Sequence, residues 1–219
     1  MMNTEIDKTK YRMGIIADIT LHTDIAHRFF KAGWSKGNIG LVQFCIMIAK
    51  IYVGCRMDDP YADWYLMKTF KVLTEAIDQI NGLEQELASY FNKTRGIKLR
   101  YLENNKAWND ELYISTEFCH LGAELLTNTD HVLRQLITLQ RSGITQSTIG
   151  IKFPLQIMQD AFATPLPWKK TDITRNDVRS NNQKAQDTKV LYEGELPIAI
   201  LDKEIEFSFL PRVNNHYKS

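Results

Sequence analysis

A chain of 219 residues with 44% hydrophobic and 24% charged residues is long enough for one large domain and too apolar to be disordered. Twenty-seven basic residues against twenty-six acidic ones leave a net charge of +1, so bulk charge names no partner and a nucleic-acid site must come from local charge. Cys45, Cys55 and Cys119 are odd in number and form no Cys-x-x-Cys pair, which argues against a disulfide framework and for buried reduced thiols in a cytoplasmic protein.

Residues 1–12 form a polar arm carrying Lys8, Lys10 and Arg12, without the apolar core of a signal peptide. From Met13 to His22 apolar and polar side chains alternate, which predicts a strand. Met13, Ile15, Ala17, Ile19 and Leu21 point one way; Gly14, Ile16, Asp18, Thr20 and His22 point the other. At TDIAHRFF the spacing becomes helical, with Thr23 or Asp24 to cap the helix and Gly33 to end it. The loop GWSKGNIG follows. A second helix, from about Gly40 to Val53, is apolar on most of its surface and is therefore a core element. The longest mainly apolar stretch, GLVQFCIMIAKIYVGC, is broken by Gln43 and Lys50 and is too short to span a bilayer.

CRMDDPYADW has the marks of a helix start: Asp59 as cap, Pro60 in the first helical position, and Asp63 at the positive end of the dipole. Leu66, Phe70, Leu73, Ile77, Ile80, Leu83, Leu87 and Phe91 then recur at three- and four-residue steps. The predicted helix, Pro60 to Asn92, would be roughly 50 Å long. Such a rod needs a partner along its stripe, from its own chain or from a second subunit. NKTRGIK breaks it, and LRYLEN and ELYISTEF read as extended segments. Asp130 to Arg141 reads as another helix. Pro154, Pro165 and Pro167 mark a helix start and a following turn, a helix is expected from Thr174 onward, and the tail YEGELPIAILDKEIEFSFLPR should pack back on the body. ITLHTDIAHRFF and YISTEFCHLGAELL echo each other faintly, the only hint of an internal repeat.

Strand, helix, glycine-containing loop, helix is the order of a ribbon-helix-helix DNA-binding unit. In that fold two subunits each give a strand to an antiparallel ribbon that enters the major groove. Its groove face must be polar and its reverse face apolar. Asp18, Thr20 and His22 meet the first demand; Ala17, Ile19 and Leu21 meet the second. Ser35, Lys36, Gly37 and Asn38 stand where the start of the second helix would hold a phosphate. The same pattern fits a half-exposed strand leading into a plain core. Asp18 would accept from a cytosine amine but repel phosphates, and GWSKGNIG is longer than the tight turn usual in this fold. Further on, Lys169, Lys170, Arg175, Arg179, Lys184 and Lys189 outnumber Asp172, Asp177 and Asp187, which fits a solvated helix face or non-specific phosphate contact. Catalytic motifs are lacking: no glycine-rich phosphate loop, His-Glu-x-x-His or Gly-x-Ser-x-Gly occurs. His22 and His27 are poorly spaced for metal, and helix capping explains Asp58, Asp59 and Asp63 better than a metal cluster does.

The run DDPYADWYL (58–66) resembles the most recognisable block of the AcaB-like family, carried by integrating conjugative elements and large conjugative plasmids. ITLHT (19–23), IGLVQF (39–44), ITRNDVR (173–179) and GELPIAIL (194–201) match further blocks in the family's order. The resemblance implies a transcriptional activator of conjugative-transfer genes, related to ribbon-helix-helix proteins, whose plasmid member promotes the operon of the master transfer activator.

The expectation is a mainly α chain with short β segments (α+β). Residues 1–56 would be the ribbon-helix-helix-like unit, and 57–219 a helical and mixed body for dimerisation and partner contacts, continuous with it in one globule. In a cytoplasmic homodimer on double-stranded DNA, Thr20 and His22 would read base edges, with Asp18 as a third. Lys8, Lys10 and Arg12 would touch backbone or groove edges, and Ser35, Lys36 and Asn38 would hold phosphate. RNA polymerase or another regulator is the expected further partner; no cofactor, metal, membrane or enzymatic activity is expected. The alternative is an adaptor of the conjugation machinery that touches no DNA.

Overall fold

The computed structural model describes residues 15–31, 39–92, 100–101, 107–143, 150–192 and 194–204. In chain order it carries β1 (Ile15–Leu21), α1 (Asp24–Lys31), α2 (Leu41–Arg56), α3 (Pro60–Asn92), β2 (Trp108–Ile114), α4 (Glu117–Ser142) and α5 (Lys152–Ala163), then the short helices α6 (Arg175–Arg179), α7 (Gln183–Lys189) and α8 (Ile198–Leu201). Helices dominate, and the two strands pair antiparallel: an α+β fold.

α3 covers the whole of its predicted range. Asp59 Oδ1 accepts from the backbone N–H groups of Tyr61 and Ala62 at 2.9 and 3.3 Å, satisfying two donors that the first turn leaves open. The apolar stripe is buried at Leu66, Leu73, Ile80 and Leu87, and α2, α4 and α5 of the same chain pack on this helix. α4 is longer than the sequence pattern predicts. It starts at Glu117, with Thr116 Oγ1 accepting from the Cys119 N–H at 3.3 Å, and ends at Gly143 in the left-handed conformation (φ 67°). The extended segment read into ELYISTEF therefore stops at Ile114. Gly122 and the polar run Thr127, Asn128, Thr129 hide the first half of α4 from a periodicity count. Gly122 lets this helix pack tightly on α2: a Cβ there would lie 2.9 Å from Leu41 Cδ1 and 3.1 Å from Phe44 Cε1. Of LRYLEN, only Arg100 and Tyr101 are described, and they belong to neither helix nor strand. The helix expected from Thr174 breaks into α6 and α7 at Asn181, whose φ is 47°. The three cysteines are free and buried.

Three of the stretches quoted for the family resemblance meet at one buried arginine. Arg175, 3% exposed, donates through one terminal nitrogen to Asp58 Oδ1 at 2.7 Å and through the other to Asp63 Oδ2. Its Nε reaches the Ile200 carbonyl at 3.4 Å, and its backbone N–H donates to the Asp58 carbonyl at 3.1 Å. Asp58 takes a positive φ of 64° to turn the chain between α2 and α3. The guanidinium fork fits this bidentate role, which a lysine could not fill. Asp58 and Asp63 thus hold the C-terminal segment, while Asp59 caps α3 and accepts from Trp168 Nε1 at 3.3 Å.

Candidate nucleic-acid interface

β1 pairs with β2 of its own chain. The register sets Ile16 opposite Tyr113, Asp18 opposite Glu111 and Thr20 opposite Asn109. This corrects the expectation that β1 pairs with the same strand of a second copy: one chain supplies both strands, and the second lies beyond residue 56. The physical reason lies in the faint sequence echo. Each strand leads within two residues to a capping threonine and a helix: Leu21 to Thr23 and α1, Ile114 to Thr116 and α4. Thr23 Oγ1 accepts from Ala26 N at 3.1 Å, as Thr116 Oγ1 accepts from Cys119 N. Asp18 and Glu111 each stand five residues before their caps and face each other, so a local two-fold runs through that pair.

The ribbon keeps two unlike faces. Ile19, Leu21 and Leu112 are buried over α1 and α4, whereas Ile16, Asp18, Thr20, Asn109, Glu111 and Tyr113 are exposed. Ile15, expected on the inner face, is 73% exposed at the ribbon's end opposite Ile114, so the inside-outside alternation begins only at Ala17. Thr20 Oγ1 donates to Asn109 Oδ1 at 2.9 Å across the strands.

Polar contacts fix the ribbon on the body. Asp130 of α4, 2% exposed, accepts from the backbone N–H groups of His22 and Thr23 at 2.8 and 2.9 Å and from Thr23 Oγ1 at 2.6 Å. At the other strand His27 stacks on Trp108 with ring centroids 4.0 Å apart, and its Nε2 lies 3.1 Å from Asp110 Oδ2. Lys31 Nζ reaches the second Asp110 oxygen at 2.9 Å, and Trp108 Nε1 donates to Asp24 Oδ1 at 3.2 Å.

Of the residues picked from sequence, Asp18 and Thr20 lie on the open face. His22 is one residue past the strand and half-buried, its backbone held by Asp130. Lys8, Lys10, Arg12, Ser35, Lys36 and Asn38 lie outside the described residues. Asn109, Glu111 and Tyr113 were missed, because ELYISTEF alternates weakly and nothing local names its partner strand. One signal was available: Lys93, Arg95, Lys98, Arg100 and Lys106 precede β2 as Lys8, Lys10 and Arg12 precede β1. The later basic stretch is neutralised locally. Arg175 is buried, Arg179 pairs with Asp202 at 3.2 Å, Lys170 with Asp172 at 3.6 Å, and Lys189 with Glu195 at 3.6 Å. Among the described residues no helix is long and apolar enough to cross a membrane.

The crystal structure of selenomethionine-containing AcaB from uropathogenic E. coli is similar in fold, with a TM-score of 0.58 over 88% of this chain and 97% of that one, at 11% identity. No curated protein matches the sequence. The family model for the transcriptional regulator AcaB matches residues 14–214, nearly the whole chain. This chain belongs to the AcaB family of transcriptional regulators.

Proposed function

We propose that this transcriptional regulator binds double-stranded DNA through the open face of the β1–β2 ribbon and activates conjugative-transfer genes of the mobile element that carries it. The observation that carries the reading is a two-stranded ribbon with one face sealed on α1 and α4 and the other exposed. A two-stranded ribbon fits the major groove, where base pairs present distinct donors and acceptors. Thr20 reads a base edge, with Asp18 beside it. Lys8, Lys10, Arg12, Ser35, Lys36 and Asn38 keep the phosphate and groove-edge roles assigned from sequence. His22 acts at the ribbon's end. A homodimer is not needed to complete the ribbon; a second copy would set two ribbons on neighbouring turns of the helix. The protein works in the cytoplasm, on the nucleoid when bound, and exposed Val190, Leu191 and Ile198 offer a surface to RNA polymerase or another regulator.

Titration of promoter fragments from the transfer region in a gel-shift assay tests this. Thr20→Ala should cost roughly 1–3 kcal/mol of discrimination between target and unrelated duplex. Lys36→Ala should weaken binding to every sequence and lower the salt slope by about one. Unchanged DNA binding in both variants would overturn the ribbon reading. One observation favours the adaptor reading: Asp18 and Glu111 place two carboxylates together on the open face. An adaptor would leave no promoter footprint in cells carrying the element, and deleting the arm would not change its retention on heparin.

A further inference from the structure

The open face of the ribbon is sorted lengthwise. Had β1 paired with a second β1 about the same centre, each flank would carry one Ile16 and one Thr20, and the two halves would be alike. The intramolecular register instead puts Ile16 beside Tyr113 at one end and Thr20 beside Asn109 at the other, with Asp18 and Glu111 between them. One flank is apolar and aromatic, and the other is polar and joined by the 2.9 Å Thr20–Asn109 hydrogen bond. A face built this way has a direction.

We infer that one chain carries a complete, directional reading ribbon, in which Asn109, Glu111 and Tyr113 of β2 are a second set of specificity-determining side chains, and that it recognises a non-palindromic duplex. The inference rests on the DNA reading proposed above and adds the target's symmetry and three residues to it. The chemistry of each position says what the duplex presents. Asn109 Oδ1 is occupied by the Thr20 hydroxyl, so its Nδ2 is left to donate, and guanine O6 and N7 or thymine O4 are the major-groove acceptors it can meet. Ile16 and Tyr113 present apolar surface that suits a thymine methyl. The carboxylates of Asp18 and Glu111 are hydrogen-bond acceptors, and among the described residues neither has an ion-pair partner. The groove's donors are cytosine N4 and adenine N6, and adenine sets its N7 acceptor beside N6, where a carboxylate is repelled. Because the local two-fold runs through this pair, the two carboxylates reach opposite strands, and the centre of the target carries a cytosine on each.

Selection from a random duplex library with the full-length chain, followed by equilibrium titration of the selected core, tests the inference. The expected core has unlike halves. Thr20→Ala and Asn109→Ala should relax base choice at the same flank, and Tyr113→Ala at the opposite flank. Glu111→Gln and Asp18→Asn should each relax the cytosine preference on a different strand, with about fivefold or larger losses of discrimination per contact. All five side chains are exposed, so thermal melts matching the wild type separate lost contacts from lost fold. A palindromic core whose selection is untouched by Asn109→Ala, Glu111→Gln and Tyr113→Ala would overturn the inference and leave the DNA reading standing. Failure to enrich any sequence would sink the DNA reading itself, and the inference with it.

Discussion

Asp130 is one carboxylate that closes three donors at the junction where β1 becomes α1. Asp130→Ala leaves those donors in a buried site, and urea unfolding should show a loss of at least about 2 kcal/mol. Asp59 makes a second residue-scale case. Burial, against the pull of its hydrogen bonds to Ala62, Tyr61 and Trp168, pushes its carboxyl up from 3.8 to about 6. A folded-state value raised above the unfolded one means protonation favours the fold. The stabilisation is complete below pH 4 and is lost as pH rises through 6, about 3 kcal/mol over that window. The urea midpoint should rise between pH 7 and pH 4, and Asp59→Asn should flatten that rise. Asp177 works in the opposite sense. The Thr174 backbone N–H holds its carboxyl below 3.8, so its contribution is present above that value and fades only at lower pH.

Elements are joined here by charge as well as by apolar packing. The start of α3 and the end of α8 converge on Arg175, the first residue of α6, and no local pattern in DDPYADW or ITRNDVR says that they do. By sequence pattern alone Asp58 and Asp63 are helix-start residues and Arg175 is part of a basic face. Only Asp59 serves as the cap; its neighbours serve a residue far along the chain. Arg175→Ala leaves the buried Asp63 without its cation and Asp58 with only the Lys203 amine at 3.2 Å, at an expected cost of about 3 kcal/mol in chemical denaturation. Limited proteolysis should then release the segment after Trp168 before the helical core is cut. Arg175→Lys keeps the charge but loses the fork, and should fall between the wild type and the alanine variant.

The ribbon joins residues 15–21 to residues 108–114. β1 takes hydrogen bonds from a strand that follows the 33-residue α3, so the first half of the chain cannot finish its sheet alone. Isolated residues 1–56 should give a poorly dispersed NMR spectrum and no selective DNA binding, and adding residues 57–219 in trans should restore both. A folded 1–56 fragment that dimerised through its own strand would reinstate the two-chain ribbon. Pairing across so long a separation also gives high contact order, and folding should be slow beside that of a simple helical bundle.

Local chemistry in the sequence determined where α3 begins, because a cap and a proline act over two or three residues, and which face of β1 turns inward from Ala17 to Leu21, because alternation is a property of the strand itself. It also determined that α2 is a core helix. The tertiary structure decided the strand's partner, the work of Asp58, Asp63 and Arg175, and the inclusion of Asn109, Glu111 and Tyr113 on the open face. Each of these joins residues remote in the chain. Hydrogen-bonding groups along a strand edge are alike whichever strand they meet, so the choice of mate rests on where the helices under the ribbon place β2, and only the packed molecule contains that information.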